Sequence, residues 1–408
     1  MNCRHCRNPL RHVFLDLGFK LPSNAYLKAE DLHRPERYFP LKVWVCDRCW
    51  LVQTEDYARA DELFPADYAY FSSTSSTWLD HAARYVAMIG ERLALNAGSF
   101  VIEVAANDGY LLRNFVGAGI PCLGIEPTAD TAAAAEALGI PMRREFFGAA
   151  LGQRLAQEGR QADLIIGNNV YAHVPDINDF TAGLKAALEP GGVITLEFPH
   201  LLRLIAETQF DTVYHEHFSY LSLCTVRRLF AAQSLRVWDV ERLPTHGGSL
   251  RVYGVHDDDP RPETPAVRQV LDDEERAGLR DLAVYRGFQA RADRVKDELL
   301  AFLLEQKRAG RTVAAYGAAA KGNTLLNYAG VKPDLLPYVC DAAPSKQGKY
   351  LPGSHLPILP PAALREHQPD WVLILPWNLA AEVVEQHGSI RDWRGRFVTA
   401  VPNLRVWA

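Results

Sequence analysis

Side chains that can transfer a proton crowd the segment 211–220, near the middle of the chain. Tyr214, His215, Glu216 and His217 follow one another there. A histidine near neutral pH can abstract a proton, a neighbouring carboxylate can orient it, and a tyrosine hydroxyl can donate to a developing oxyanion. This density of polar residues predicts acid–base catalysis. Two other interpretations stay open: the histidines could ligate a metal, or they could be satisfied core residues.

Four cysteines have the spacing of metal ligands, in the pairs Cys3-x-x-Cys6 and Cys46-x-x-Cys49. Zn²⁺ is held by four soft ligands at tetrahedral corners, and each pair presents two thiolates from one tight turn. A site with four protein ligands has no open position for a water, so the expected role of the zinc is structural. A redox disulfide is the lesser alternative. His5, inside the first pair, is expected to be a neighbour of the site and not a ligand.

An apolar run at 100–105 predicts a buried strand, and an acidic glycine turn follows it. Doubly wound sheets bind nucleotides at such a turn, at the carboxyl end of the first strand. The phosphate-binding Gly-x-Gly-x-x-Gly is absent, and an acidic turn would repel a pyrophosphate. The turn suits a sulfonium cation with an amino group, which indicates S-adenosylmethionine. The predicted cofactor contacts here are Glu103, Ala105, Asn107, Asp108 and Gly109.

Two further strands end in polar residues and continue the strand–helix rhythm of a methyltransferase sheet. The second strand ends in Glu126, whose carboxylate can accept hydrogen bonds from ribose hydroxyls, and Pro127 follows it. The third strand, 162–167, runs into Asn168 and Asn169. We therefore add these four residues to the predicted S-adenosylmethionine site.

The last third of the chain repeats the strand–glycine-turn–helix pattern at 312–323, after a charged stretch at 270–308 whose spacing predicts one or two amphipathic helices. We infer a second Rossmann-like unit. Its turn carries Lys321 in place of an acid, so it favours an anion such as the diphosphate of a nucleotide-sugar, with Lys321 and Asn323 as contacts. An exposed lysine at a helix start is an equal alternative, because one lysine does not define a phosphate site.

Several stretches together resemble the family of sugar C-methyltransferases, and the resemblance covers essentially the whole chain. They are the two cysteine pairs, the turn 103–109, the stretch 168–176, the motif 214–220 and the stretch 246–251. Members of that family methylate carbon 3 of nucleotide-linked 4-keto-deoxysugars, in particular TDP-sugars. The resemblance implies an enolate that attacks the methyl group of S-adenosylmethionine, with zinc in a structural role only.

The resemblance also implies roles for individual residues. His217 matches the base that removes the proton from carbon 3, and Tyr214 and Glu216 lie beside it in the family's site. His173 matches a second active-site histidine. An aromatic residue contributed by the front domain is matched by Tyr68 or Tyr70.

Substrate binding is assigned to two residues within the matching motifs, His215 and Ser249, in addition to the lysine and asparagine of the C-terminal turn. The substrate implied by the resemblance is a nucleotide-linked ketosugar.

With 408 residues the chain is too long for one ordinary core. We expect an α/β protein in three parts. A zinc-binding domain occupies 1–70, a Rossmann-like S-adenosylmethionine methyltransferase domain occupies 71–256, and a helical linker with a C-terminal Rossmann-like domain occupies 257–408. Three packed domains suffice as a monomer, which is the expected oligomeric state.

Composition argues against several kinds of partner. The net charge of −5 gives no basic field for nucleic acid or a membrane surface. No run reaches the roughly 18 apolar residues that cross a bilayer, and the start has no hydrophobic signal core. The remaining cysteines are scattered, which suits a reducing cytoplasm. Three competing functions stay open: methyl transfer to another small molecule, NAD-dependent oxidoreduction by the C-terminal unit, and a zinc-ribbon adaptor that binds nucleic acid.

Overall fold

The computed structural model describes residues 1–55, 57, 71–74 and 76–407. These residues form three β-sheets with helices packed against them, so the expected α/β class is confirmed. In the same described residues, no helix combines the length and the apolar character that a membrane span requires.

The N-terminal sheet is antiparallel, with strands in the order His12–Lys20, Phe39–Val45, Val52–Thr54 and Ser219–Tyr220. The second strand buries alternate residues, as in a sheet with one face on a core. A short 3-10 helix, Ala29–His33, lies in the connection before it. The fourth strand comes from the end of the polar segment 211–220. The cysteine-bearing module is therefore hydrogen-bonded directly to the segment that carries the predicted base.

The central sheet has seven strands, in the order Leu235–Leu243, Ser249–His256, Leu188–Pro199, Ala162–Asn168, Val101–Val104, Cys122–Ile125 and Met142–Arg143. Ser249–His256 runs antiparallel to both its neighbours. The first strand in sequence, Val101–Val104, lies between the second and the fourth, with parallel pairing on both sides. The polar residues that follow these strands therefore gather at one edge of the sheet, at its topological switch point.

Helices cover both faces of the central sheet, as parallel strands with two buried faces require. The α-helices that belong to this part of the chain are Ser76–Arg92, Leu112–Gly117, Ala129–Ala137, Ala149–Gln157, Ile177–Ala187, Leu201–Ala206 and Leu223–Ala231. Short 3-10 helices lie at Ser72–Thr74, Tyr171–His173, Phe210–Thr212 and Thr245–Gly247. Two of these short helices carry His173 and His246, which belong to the site described below.

The helical stretch before the C-terminal sheet forms three helices, Pro265–Arg276, Leu282–Arg286 and Phe288–Arg308, where one or two were expected. Gly278 adopts φ 80° after the first helix, and the side chain of Asp281 then caps the second through the backbone N–H of Ala283. This glycine and cap interrupt an apolar periodicity that, by itself, does not mark a boundary.

The C-terminal sheet has the strand order Ile358–Leu359, Val339–Cys340, Val313–Tyr316, Trp371–Ile374, Arg396–Thr399 and Arg405–Trp407. All pairings are parallel except the last. Its α-helices are Ala320–Ala329, Ala363–His367 and Ala380–Gln386, with 3-10 helices at Trp377–Leu379 and Gly388–Trp393. This open, doubly wound sheet confirms the expected second Rossmann-like unit.

Both Rossmann-like units hold their glycine turn in the same way. In the central unit, the N–H of Asn107 donates to Oε2 of Glu126 at 3.0 Å. In the C-terminal unit, the N–H of Ala318 donates to Oδ2 of Asp341 at 2.7 Å. Each acid follows the second strand of its sheet and binds the turn after the first strand. The shared geometry agrees with the repeated pattern in the sequence.

The three sheets share their cores and do not form separate globules. Phe14 of the N-terminal sheet stacks on Phe288 at 4.4 Å between ring centroids and meets Tyr285 edge to face at 5.6 Å. These side chains belong to one apolar cluster that continues into the C-terminal sheet. Burial of one such phenylalanine contributes roughly 1.5–3 kcal/mol. Cys3, Cys46 and Cys49 pack instead into the cluster of the central sheet.

Candidate active site and cysteine cluster

The four cysteines of the two pairs converge, and their Sγ atoms all lie within 4.8 Å of one another. Cys3 and Cys49 are 3.5 Å apart, and Cys6 and Cys46 are 3.6 Å apart. Thiolates at the corners of a zinc tetrahedron, with Zn–S near 2.3 Å, lie about 3.8 Å from each other. The Nε2 of Gln53 donates to the sulfur of Cys3 at 3.2 Å, a contact that stabilises a thiolate. The donor set fits a closed structural Zn²⁺ site.

His5 lies beside the cysteine cluster and takes no part in it. Its Nδ1 bonds Oδ1 of Asn178 at 2.8 Å, and the amide of Asn178 donates in return to the carbonyl of His5 at 3.0 Å. The first cysteine pair is thereby tied to the start of helix Ile177–Ala187 in the central domain.

Buried polar atoms without partners collect at the switch point of the central sheet. Neither carboxylate oxygen of Glu103 has a hydrogen-bond partner among the described residues, and the same holds for Oδ1 of Asp108 and both amide atoms of Asn168. Burial and the nearby charges of Asp108 and Glu126 raise the pKa of Glu103 well above its usual range, while the nearby Tyr110 acts in the other direction. A ligand with a positive charge and several hydrogen-bonding groups would satisfy these atoms, which fits S-adenosylmethionine.

The turn after the first strand requires its glycine. Gly109 has φ 77°, and a Cβ there would come within 2.3 Å of Cδ1 of Ile140. Ala105 and Asn107 also have positive φ, of 58° and 50°. The turn therefore brings its backbone close to the sheet edge, where a ligand can contact it.

Glu126 is held in place by the backbone around it. Beside the bond from Asn107, its Oε1 accepts the N–H of Thr128 at 3.0 Å and the hydroxyl of Thr128 at 2.5 Å. Pro127 forms the short link between the acid and this threonine. A carboxylate offers about four acceptor positions, so Oε2 keeps one for a ribose hydroxyl.

The segment 71–74 covers the acidic turn, a contact that the sequence did not reveal. The N–H of Ser72 donates to Oδ1 of Asn107 at 2.9 Å, and the N–H of Ser73 donates to Oδ2 of Asp108 at 3.0 Å. Both predicted cofactor contacts thus use one oxygen to fix this segment. Tyr68 and Tyr70, the aromatic candidates from the front domain, lie outside the described residues.

His217 is buried and has a defined orientation. Its Nδ1 donates to the carbonyl of Thr212 at 2.9 Å, which leaves Nε2 as the acceptor. The ring of Tyr214 is 4.0 Å away and that of His173 is 4.5 Å away, centroid to centroid. Burial, together with His173 and the charges of His246 and Lys321, lowers the pKa of His217 well below its usual range. The imidazole is therefore neutral at neutral pH, the state that a general base needs.

The other charged members of the segment 211–220 point in different directions. Both carboxylate oxygens of Glu216 accept the side-chain amide of Asn24, at 2.8 and 2.9 Å. Asn24 belongs to the N-terminal module, so that module orients a predicted site residue. The Nε2 of His215 bonds the carbonyl of Pro40 at 3.3 Å, and its ring meets Phe39 at 5.9 Å. The side chain of His215 therefore contacts strand Phe39–Val45 of the N-terminal sheet.

Lys321 and Trp377 of the C-terminal domain form contacts close to Asp211 of the central domain. The Nζ of Lys321 donates to Oδ1 of Asn378 at 2.6 Å and lies 4.8 Å from the ring centroid of Trp377. The indole N–H of Trp377 donates to Oδ2 of Asp211 at 2.8 Å. Burial raises the pKa of Asp211 to about 6, against the opposing charge of Lys321. Asp211 precedes Thr212, whose carbonyl holds the predicted base.

His246 is a site residue that the sequence analysis named only within a motif. It has φ 53°, and its Nε2 bonds the side-chain Nδ2 of Asn169 at 3.2 Å. Asn169 also has φ 53°. The sequence signal for this residue is the pair of glycines that follow it, since Gly247 and Gly248 both adopt positive φ. Burial lowers the pKa of His246 to about 4.

Two predicted substrate contacts have structural partners. The hydroxyl of Ser249 donates to the carbonyl of Thr245 at 2.9 Å and closes the turn that carries His246. The side-chain amide of Asn323 donates to the carbonyl of Ser23 at 3.3 Å, in the N-terminal module. Both roles in substrate binding stay predictions.

Glu197 holds the turn that carries His246 through a hydrogen bond with Thr245. Its Oε2 accepts bonds from His81 at 3.0 Å and Arg251 at 2.9 Å, and its Oε1 accepts the hydroxyl of Thr245 at 2.9 Å. Burial alone would raise the pKa of Glu197, but His81 and Arg251 hold it below its usual value. The carboxylate is therefore charged and fixes Thr245, the residue before His246.

In a comparison with known proteins, three family models match successive parts of the chain. Family models match residues 3–64 ("Putative zinc binding domain"), 78–240 ("Methyltransferase domain") and 244–402 ("C-methyltransferase C-terminal domain"). The C-methyltransferase NovU of Streptomyces niveus is 36% identical over 404 residues, which cover 99% of this chain and 96% of that protein. The chain belongs to the C-methyltransferase family.

This C-methyltransferase uses S-adenosylmethionine as its methyl donor and has a zinc-binding four-cysteine cluster. An uncharacterized methyltransferase of Mycobacterium leprae, ML2584, is 28% identical over 122 residues, or 29% of this chain and 45% of that protein.

Among solved structures, the PH0226 protein of Pyrococcus horikoshii covers 49% of this chain and 99% of its own, with 13% identity and a TM-score of 0.38. The magnesium protoporphyrin IX methyltransferase of Synechocystis with bound S-adenosylmethionine covers 44% and 78%, with 14% identity and a TM-score of 0.32. These structural likenesses are too weak to support an inference.

Proposed function

We propose that this C-methyltransferase methylates carbon 3 of a nucleotide-linked 4-keto-deoxysugar, with TDP as the carrier, in deoxysugar biosynthesis. The observation that supports this most directly is the orientation of His217. Its Nδ1 is bonded to the Thr212 carbonyl, and its Nε2 has no partner among the described residues. A neutral imidazole with one fixed nitrogen and one available nitrogen is suited to remove a carbon-bound proton.

In the proposed reaction, Nε2 of His217 takes the proton from carbon 3 of the sugar. The electrons of that C–H bond form the double bond between carbons 3 and 4, and the carbonyl electrons move onto the oxygen of carbon 4. Tyr214, Glu216 and His173 line the site around the base. When bound, S-adenosylmethionine supplies the electrophilic methyl group that carbon 3 accepts.

The methyl donor in this proposal lies at the switch point of the central sheet. The buried oxygens of Glu103 and Asp108 face its positive charge, and Asn168 offers unpaired amide atoms. Glu126 holds the ribose. Ala105, Asn107, Gly109, Pro127 and Asn169 form the rest of this site.

The nucleotide end of the substrate is assigned to the boundary between the central and C-terminal domains. Lys321 offers a partly buried positive charge there, as the second residue of helix Ala320–Ala329. The helix N-terminus adds its partial positive charge. Asn323 supports this turn through its bond to Ser23.

We also propose that the enzyme acts as a monomer in the cytoplasm and that its domains are divided near residues 70 and 256.

The test is incubation of the purified enzyme with a TDP-linked 4-keto-6-deoxysugar in deuterated water, with and without labelled S-adenosylmethionine, followed by mass spectrometry. We expect deuterium at carbon 3 without the methyl donor and a carbon-linked methyl group with it. His217→Asn keeps a donor at the δ position for Thr212 but removes the ε nitrogen, so both reactions should stop while S-adenosylmethionine still binds. The exposed His33→Asn is the matched control.

Two results would contradict the proposal. Wild-type exchange in His217→Asn would remove His217 from the role of base. Binding of S-adenosylmethionine without exchange or methylation of any ketosugar would favour another small-molecule acceptor.

A further inference from the structure

The turn 245–249 holds His246 in a conformation that few residues of its kind adopt. His246 and Asn169 both have φ 53°, in the left-handed region, and each belongs to a different loop at the edge of the central sheet. Asparagine adopts this region readily, but a histidine held there is less common, and such residues persist where the surrounding structure fixes them, often at functional sites. Here the Asn169 amide, the bond from Thr245 to Glu197 and the Ser249 hydroxyl fix them.

The bond between these two residues determines which ring nitrogen of His246 carries the proton. A side-chain amide nitrogen is a donor only, so Nε2 of His246 accepts from Nδ2 of Asn169. A neutral imidazole then carries its proton on Nδ1. No described residue bonds that nitrogen. This proton position follows from the orientation of the Asn169 amide, whose nitrogen, and not its oxygen, faces Nε2 of His246.

His246 borders the predicted methyl-donor site. Its ring is 5.3 Å from that of Trp78, which in turn is 6.0 Å from Tyr110 beside the acidic turn. Asn169 follows Asn168, whose amide is unpartnered at the same edge. His246 is also near enough to His173 and His217 that a proton on its ring would disfavour protonation of theirs.

Burial and the positive charge of Lys321 keep the ring of His246 neutral. Burial is the main cause of its lowered pKa, and the ammonium group of Lys321 acts in the same direction, while Glu197 acts against them. Gly247 packs so closely on Trp377 that a Cβ would come within 2.4 Å of the indole, and Lys321 lies over the same indole. A neutral donor retains its proton while it stabilises an oxyanion, as a histidine near a helix N-terminus does in triosephosphate isomerase.

We propose that His246 is a catalytic residue that donates its Nδ1–H to the ketone oxygen of the substrate and stabilises the enolate. This inference rests on the proposed function. As His217 takes the proton from carbon 3, the negative charge that reaches the oxygen of carbon 4 is held by this hydrogen bond. The charge returns to carbon 3 when the new carbon–carbon bond forms, and the oxygen becomes a ketone again.

The test compares two substitutions in the deuterium-exchange reaction without methyl donor. In His246→Asn the amide nitrogen occupies the δ position, and asparagine tolerates positive φ. In His246→Gln the amide occupies the ε position, so the bond to Asn169 can persist but the donor to the substrate is lost. We expect exchange to fall by about 100-fold or more in His246→Gln, the effect of losing one oxyanion donor, and by less than about tenfold in His246→Asn. The surface variant Lys307→Met serves as a control.

Affinities for S-adenosylmethionine and for TDP, together with the melting temperature, show whether each variant is folded. Near wild-type exchange in His246→Gln would overturn the assignment. Equal losses in both variants would also overturn it, because they would indicate that His246 only holds the loop. If the wild-type enzyme itself exchanges no proton, the proposed function fails and this assignment fails with it, a result visible before any variant is made.

Discussion

Acid should destabilise this protein through two partly buried histidines. His173 and His246 both have a pKa of about 4 in the folded protein, and burial is the first cause in each case. In the unfolded chain a histidine takes up its proton near pH 6.5. Each histidine therefore contributes stability that is present above pH 6.5 and is lost as the pH falls toward 4.

The magnitude follows from these two pKa values. Between pH 7.5 and 5.5, proton uptake by the unfolded state lowers the free energy of unfolding by about 1.3 kcal/mol for each histidine. Asp211 has the opposite sign: its pKa of about 6 means that its contribution is lost as the pH rises through 6. Zinc binding by thiolates also depends on pH, so only a comparison between variants isolates one histidine.

Urea unfolding of the zinc-loaded protein, at pH 7.5 and at pH 5.5, provides the measurement. His173→Asn should lose about 1.3 kcal/mol less than the wild type over this interval, because it takes up no proton on unfolding. His246→Asn should behave alike, and the exposed His33→Asn should match the wild type. If the pH dependence of His173→Asn equals that of the wild type, the histidine is not held neutral and the reasoning from burial is wrong.

Three further predictions concern single contacts. Cys46→Ser should lose about one zinc per chain by metal analysis and melt at a lower temperature; full retention of zinc would refute the assigned ligand set. Glu103→Gln removes a buried carboxyl group that is costly to ionise, so the ligand-free protein should melt higher while its affinity for S-adenosylmethionine, measured by calorimetry, falls about tenfold; an unchanged affinity would count against this site. Trp377→Phe keeps the ring over Lys321 but loses the bond to Asp211, and urea unfolding should show a destabilisation of about 1.5–3 kcal/mol; no change would mean that this bond contributes nothing.

Local sequence signals sufficed for the first strand and the glycine turn of each Rossmann-like unit. The run 100–105 contains strand Val101–Val104, and its β-branched residues are buried on both faces, as expected of a central parallel strand. Gly109 marked a turn in the sequence, and the structure explains the glycine because a Cβ there would come within 2.3 Å of Ile140. The cysteine pairs were equally readable, since a tetrahedral metal site leaves few other arrangements for two Cys-x-x-Cys motifs.

The contacts that complete the candidate site could not be predicted, because they join residues far apart in the sequence. Nothing near Asn24 indicates that its amide binds Glu216. Ser72 and Ser73 bind the acidic turn through backbone N–H groups, which have no side-chain signal at all. The strand Ser219–Tyr220 is too short for periodicity to reveal, and it exists because Val52–Thr54 offers it a pairing edge.

The site therefore depends on the relative positions of all three parts of the chain. Asn24 of the N-terminal module orients Glu216, and Trp377 of the C-terminal domain holds Asp211, one residue before the carbonyl that binds His217. The residues predicted to contact the methyl donor, in contrast, lie within the central domain, and segment 71–74 covers them. In the proposed reaction, this division gives the zinc cluster a function beyond local stability. Because the cluster belongs to the module whose Asn24 binds Glu216, we expect removal of zinc to slow the proposed methylation more than it weakens the binding of S-adenosylmethionine.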